Sequence, residues 1–182
     1  LINVELVQFL DKTVNLVAND TFKGQPGTDL IDGGLGTDTV VYSGPLEQYT
    51  VVKSGNRYIV SEPTGSDDTD YLTNIERLKF SDKSIALDLD GNAGTTAKIL
   101  GAVFGKDAVN NKNYVGIGLN FLDTGWSYDN LAGLALEAAG AKTNDQIVSL
   151  LWTNVIGTKP TAADKQPFIA LLENGMSAGA LA

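Results

Sequence analysis

Three aspartates spaced nine residues apart, Asp20, Asp29 and Asp38, are the residues of this sequence best placed to do chemistry. The 182-residue chain contains neither cysteine nor histidine, which excludes thiolate zinc sites and histidine-based catalysis. The metal ligands that remain are the oxygens of carboxylates, amides and backbone carbonyls, which suit hard cations. We therefore expect calcium, rather than a transition metal, at these aspartates.

A nine-residue pattern connects the aspartates. Residues 33–41 (GGLGTDTVV) match G-G-x-G-x-D-x-U-x at every defined position, where U is a large apolar residue. Residues 24–32 match in the same frame with Gln25 in place of the second glycine, and residues 15–23 keep only the second half. The glycines let six residues turn with their carbonyls inward, and three residues then form a short strand. The U residue of each strand should face the core, which applies to Phe22, Ile31 and Val40.

Successive turns fall on opposite sides of such a stack, so turns 18 residues apart are neighbours. Asp20 and Asp38 are therefore expected to share one calcium ion. Asp29 lies on the other side, where the expected partner is Glu47 or nearby carbonyls, with Asp11 as the alternative. The complete set of predicted metal-site residues is Ala18, Asp20, Gln25, Gly27, Asp29, Gly33, Leu35, Gly36 and Asp38.

Three other groups of residues are weaker candidates for a site. The segment Asp88-x-Asp90-x-Asn92 begins like an EF-hand loop but lacks its glycine and final glutamate, so we interpret it as a helix-capping linker. An acidic loop is interpreted as solvated rather than as a second cation site; its acids are Asp67, Asp68 and Asp70. Four aromatic residues are predicted to be core rather than a sugar-binding platform: Phe121, Trp126, Trp152 and Phe168.

The glycine-rich tract and its flanks carry a family resemblance. Residues 20–44, the acidic loop and the segment 74–82 together resemble the RTX, or hemolysin-type calcium-binding, proteins of Gram-negative bacteria. The resemblance implies export by type I secretion and folding in external calcium. Residues 94–182 resemble a helical domain of unknown function that often follows such repeats in secreted and surface-layer-like proteins. Residues 154–157 and 171–175 carry that second likeness.

The sequence predicts an α+β fold in two parts. Residues 1–90 should form an RTX-type calcium-binding β domain, a short parallel β-roll with antiparallel strands, and residues 91–182 an all-α domain. An offset of 71 relates the predicted hairpins at 3–14 and 74–85, so the chain is expected to begin inside the end of a preceding unit. Offsets of 52 and 50 predict a duplicated helix pair in the second part, with chance similarity as the alternative.

Five amphipathic helices are predicted in the second part from the spacing of apolar residues. Ser127, Thr143 and Thr161 are suitable N-caps, and Gly157 and Gly175 are suitable ends. The predicted spans are 95–104, 114–122, 128–139, 145–156 and 162–173.

The predicted function is that of a non-catalytic calcium-binding module of a larger secreted, extracellular or cell-surface protein, which folds on binding calcium. A net charge of −9 disfavours nucleic acid and anionic lipid as partners, and no apolar run is long enough to span a membrane. One alternative is an adhesin-like module that binds a cell-surface glycan. Another is part of a polysaccharide-active enzyme that works with two carboxylates.

Overall fold

The fold joins a β-strand unit to a helical unit, which confirms the predicted α+β class. The computed structural model describes residues 6–8, 13–15, 18–63 and 69–182. It divides the chain into two compact units, residues 1–88 and 89–182, and each is described by itself.

The described residues of the first unit form ten short strands, because turn-forming glycines and polar residues interrupt the β-branched runs. In chain order they are β1 (Leu6–Gln8), β2 (Thr13–Asn15), β3 (Thr21–Lys23), β4 (Leu30–Asp32), β5 (Thr39–Val41), β6 (Thr50–Ser54), β7 (Arg57–Ser61), β8 (Thr69–Thr73), β9 (Arg77–Lys79) and β10 (Ser84–Ala86).

The strands form one hairpin and two four-stranded sheets. Strands β1 and β2 pair antiparallel, and so do β9 and β10, at the two places where the sequence predicts equivalent hairpins. One four-stranded sheet has the order β10-β9-β5-β3 and the other has the order β4-β8-β7-β6. Among the described strands, the pairs β3–β5, β5–β9 and β4–β8 are the parallel ones. The described residues thus form two separate four-stranded sheets and one hairpin, and no closed roll, which limits the predicted roll to these parallel pairs.

The apolar U residues of the nine-residue pattern line the interior of this unit. The register places Phe22 beside Val40 and Val40 beside Leu78 in one sheet. Ile31 lies beside Leu72 in the other sheet. Val40 and Leu78 are completely buried, and Phe22 and Ile31 pack against the same core. Alternating side-chain directions along each strand explain why these positions share one face.

Six α-helices form the second unit, and a side chain caps the N-terminus of each of them except α1. They are α1 (Asn92–Phe104), α2 (Lys112–Asp123), α3 (Tyr128–Ala138), α4 (Asn144–Ile156), α5 (Ala162–Glu173) and α6 (Ala178–Leu181). The N-caps predicted at Ser127, Thr143 and Thr161 each accept a backbone N–H bond, and Gly157 ends α4 in the left-handed conformation. Helix α2 begins earlier than predicted because the Asn111 side chain caps it.

The helical unit contains two copies of one helix pair, α1 with α2 and α4 with α5. Helices α1 and α4 have 13 residues each, and their bounds differ by 52 positions. Helices α2 and α5 have 12 residues each, and their bounds differ by 50. Both second helices end in the same way, since the N–H of Trp126 bonds Phe121 O and that of Met176 bonds Leu171 O. Within the described residues, no helix has the length and apolar character that crossing a membrane requires.

Candidate metal centre

Three turns lie side by side where they lead into the parallel strands β3, β5 and β9. They comprise residues 18–20, 33–38 and 74–76, and we call them the turn stack. The register pairs Thr21 with Thr39, so the turns before β3 and β5 are neighbours at the predicted spacing of 18 residues. The third turn arrives 38 residues after the second, because the β6–β7 hairpin and β8 intervene.

Asp38 lies at the centre of the turn stack and is completely buried. Its Oδ1 atom accepts the Asp20 N–H at 2.7 Å, and its own N–H donates to Glu76 Oε2 at 2.7 Å. Its Oδ2 atom is buried and has no hydrogen-bond partner among the described residues. A buried charged oxygen left in this state costs several kcal/mol unless it is protonated or meets a cation.

The electrostatic environment of Asp38 opposes its negative charge. Burial raises the pKa of Asp38 to about 6, although the hydrogen bond from Asp20 lowers it, and the nearby carboxylates of Glu76, Asp20 and Asp32 raise it further. Burial also raises the pKa of Glu76. A cation among these carboxylates would reverse the effect, because it favours their charged forms.

Gly33 leaves space next to Asp38 that no other residue could leave. A Cβ atom on Gly33 would lie 2.1 Å from the Asn74 carbonyl oxygen and 2.6 Å from Asp38 Oδ2. Both oxygens therefore border the same small space. Gly36 is similarly constrained, since its Cβ would lie 2.4 Å from the Ala18 carbonyl oxygen. This close approach brings the first two turns of the turn stack together.

Asp29 occupies the opposite edge of the unit, with a partner other than the one expected. Its N–H donates to Asp70 Oδ1 at 3.0 Å, and its Oδ2 accepts the Gln25 N–H at 2.7 Å. The expectation of Glu47 is wrong in this respect: Glu47 is exposed in a short 3-10 helix. The inserted β6–β7 hairpin makes β8, rather than a strand 18 residues on, the parallel neighbour of β4. Asp11 lies outside the described residues.

Asp70 is buried rather than part of a solvated loop. It is 1% exposed, and its Oδ2 atom accepts the Tyr42 hydroxyl at 2.9 Å. The two edges of the unit therefore differ: protein groups bond both oxygens of Asp70, whereas only Oδ1 of Asp38 is bonded by a described residue. Asp67 and Asp68 lie outside the described residues.

The predicted metal-site residues divide between these two edges. Ala18, Asp20, Gly33, Leu35, Gly36 and Asp38 belong to the turn stack, and Gln25, Gly27 and Asp29 belong to the opposite edge. Glu76 and Asn74 join the turn stack although the sequence pattern does not include them. No group of three or more Asp or Glu side chains close enough to hold a metal ion occurs among the described residues. A cation there would need backbone carbonyls for most of its ligands.

The remaining candidates have other roles in the structure. Asp88 forms an ion pair with Arg77, and Asn92 begins α1 and donates to Asp123 Oδ1 at 2.8 Å. The prediction that four aromatic residues are core is wrong for two of them, because Trp126 is 41% exposed and Phe168 is 37% exposed. Helix α5, which carries Phe168, contains no buried residue.

Comparisons with known proteins give little beyond local likeness. No protein-family model matches the sequence, and no curated protein matches it. A crystal structure of the extracellular lipase LipA from Serratia marcescens matches with a TM-score of 0.30 and 21% identity. The match covers 35% of this chain and 13% of the lipase chain. A likeness of this extent carries no argument about activity.

Proposed function

We propose that the first unit binds calcium in the turn stack and that calcium completes its folding. The unit would then be a non-catalytic, calcium-dependent module of a larger secreted or cell-surface protein. The observation that carries the proposal is the Oδ2 atom of Asp38. It is buried beside the Asn74 carbonyl, and no described residue bonds it.

The donor set of the turn stack suits a hard cation. Asp38 supplies a carboxylate oxygen, and the carbonyls of Asn74 and Ala18 lie at the two glycines that permit close approach. The carboxylates of Asp20 and Glu76 are near enough to raise the pKa of Asp38. Calcium takes six to eight oxygen ligands with flexible geometry, so carbonyls and carboxylates from several turns can combine.

Binding of calcium would stabilise the folded state directly. The carboxylates that repel one another come together only in the folded chain, so a cation that neutralises them binds folded and not unfolded protein. The gain in stability then grows with the calcium concentration relative to the dissociation constant. A protein of this kind folds where calcium is abundant, which supports the proposed extracellular setting.

Calcium titration of the chelator-treated full chain, by isothermal calorimetry and circular dichroism, tests the proposal. We expect heat of binding and a gain of β structure for the wild-type chain. Asp38→Asn should lose most of the heat, whereas Asp29→Asn should retain it, because protein groups already bond the carboxylates of the opposite edge. Gly33→Ala should also lose binding, since its Cβ would occupy the space between the two oxygens.

A chelator-treated chain that is already fully folded and gives no heat with calcium would contradict the proposal. Equal loss of heat in Asp29→Asn and Asp38→Asn would move the site away from the turn stack. In the first case the glycan-binding alternative becomes the one to test, on an array of neutral glycans.

A further inference from the structure

A cleft in the helical unit lies between α1, α2 and α3. Its volume is about 290 Å3, at the lower end of the range for small-molecule sites. None of the described residues that line it carries a charge. The base is buried, with Ile99 2% and Leu131 5% exposed, and the rim is open, with Tyr114 42%, Ile117 53% and Leu134 38% exposed. The cleft is therefore an apolar pocket open to solvent at one side.

Thr96 is a buried polar residue among those that line this cleft. Thr96 is 1% exposed, and its Oγ1 atom has no hydrogen-bond partner within the part of the chain that the structure describes. A threonine in a helix commonly bonds the carbonyl four residues earlier, but this hydroxyl does not. The side chain is held against α2, since a Cβ on Gly118 would lie 2.6 Å from Thr96 Cγ2. A buried hydroxyl in this state destabilises the folded chain unless a ligand bonds it.

The internal repetition supplies a comparison for Thr96. A second apolar cleft of about 220 Å3 lies between α4, α5 and α6. Val148 stands there at the position equivalent to Thr96, and Phe168 stands at the position equivalent to Gly118. Valine has the shape of threonine without the hydroxyl, so packing at this position does not require a hydroxyl. The second cleft keeps a buried Trp152 Nε1 atom that no described residue bonds.

We propose that the cleft between α1, α2 and α3 binds a neutral molecule with a linear apolar chain and one oxygen, which hydrogen-bonds Thr96 Oγ1. Medium-chain alcohols belong to this class. A neutral ligand follows from the uncharged lining, because an ion buried there would lose its hydration without compensation. The buried Thr96 hydroxyl matches a single oxygen, and the apolar walls match the chain.

NMR titration of the calcium-supplemented full chain with 1-octanol tests the proposal, with sodium octanoate as the charged comparison. We expect saturable shifts at Thr96, Leu100 and Gly118 with octanol and much weaker binding of octanoate. Thr96→Val should weaken octanol binding about five-fold, which corresponds to one hydrogen bond. The matched variant Val148→Thr, at the equivalent position of the second cleft, should leave octanol affinity unchanged.

Four results would overturn the proposal. If a folded Thr96→Val chain binds octanol with unchanged affinity, the Thr96 hydroxyl has no role in binding. Octanoate binding as tightly as octanol would remove the preference for a neutral ligand. Shifts at the same residues that depend on protein concentration alone would mean that a second copy of the chain covers the cleft. Ala135→Leu places a larger side chain in the lining of the cleft, and octanol binding that survives it would place the ligand elsewhere.

Discussion

Two buried aspartates, Asp38 just before β5 and Asp70 within β8, lie at the two edges of the first unit and have different surroundings. Each accepts the N–H of an aspartate from the neighbouring turn. The Tyr42 hydroxyl donates to the second oxygen of Asp70, so protein groups bond both oxygens of that carboxylate. The second oxygen of Asp38 has no such bond from a described residue. For this reason we expect a cation at only one of the two edges, in the turn stack.

The raised pKa of Asp38 predicts an unusual pH dependence without calcium. Its pKa is about 6 in the folded chain against 3.8 as the ordinary value, so the folded state holds the proton more tightly. The contribution of Asp38 to stability is therefore full below pH 4 and is lost as pH rises to about 6, by roughly 3 kcal/mol. The measurement is the free energy of unfolding in urea, for wild type and Asp38→Asn, in calcium-free buffer at pH 4 to 7.

Asp38→Asn cannot titrate at this position and should show a smaller decrease, because the raised pKa of Glu76 still contributes. With saturating calcium the pH dependence of stability should reverse in the wild-type chain. The cation lowers the folded-state pKa of Asp38, so stability is then lost as pH falls. Identical slopes for wild type and variant in calcium-free buffer would show that Asp38 is not the group responsible.

Removal of the Tyr42 hydroxyl tests the opposite edge. Tyr42→Phe keeps the ring, which packs between Tyr49 and Phe80, but removes the hydrogen bond to Asp70. We expect a loss of about 1–3 kcal/mol in the free energy of unfolding, with or without calcium. Tyr71→Phe in β8 is the matched control and should cost less. A calcium-dependent effect of Tyr42→Phe would mean that this edge also contributes to metal binding.

At the scale of elements, the helical unit is organised by contacts between equivalent positions of its two halves. Asn154 Nδ2 donates to the Ala102 carbonyl, and these two positions are equivalent at the offset of 52. A Cβ on Gly179 would lie 2.0 Å from Asp129 O, and these positions are equivalent at the offset of 50. Contacts between equivalent positions are what a two-fold relation between halves produces.

Asn154→Ala tests the hydrogen bonds that connect the two halves of the helical unit. The amide donates to both the Ala102 and Val103 carbonyls at the end of α1, where helix carbonyls have no partner within the helix. We expect a loss of about 1–3 kcal/mol in helical-unit stability, read by thermal unfolding at 222 nm. Asn130→Ala, on the exposed face of α3, is the control and should change stability little. An equal loss of stability in both variants would show that the Asn154 hydrogen bonds do not stabilise the contact between the halves.

At the scale of the molecule, the two units carry different spectroscopic probes. Both tryptophans, Trp126 and Trp152, lie in the second unit, whereas four of the six tyrosines lie in the first. Calcium binding in the turn stack should therefore change the near-ultraviolet tyrosine signal and leave tryptophan emission unaltered. We expect chelator to lower the unfolding temperature reported by β structure and not the one reported by tryptophan. A common shift of both would indicate that the units unfold together.

Local patterns in the sequence determined the turns, the apolar strand positions and the helix caps. The neighbouring positions of Asp20 and Asp38 follow from the nine-residue spacing, because two turns and two strands bring the chain back to the same edge. Ser127, Thr143 and Thr161 cap helices through bonds to residues three positions away. Such features depend on groups close in the chain, so the sequence alone can specify them.

Tertiary structure decided the partners that lie far apart in the chain. Asp70 meets Asp29, and Glu76 meets Asp38, only because the β6–β7 hairpin delays the return of the chain to each edge. Spacing along the sequence cannot reveal which later strand fills an edge once such an insertion intervenes. Whether a buried oxygen finds a bond, as on Asp70, or lacks one from the described residues, as on Asp38, depends on that choice.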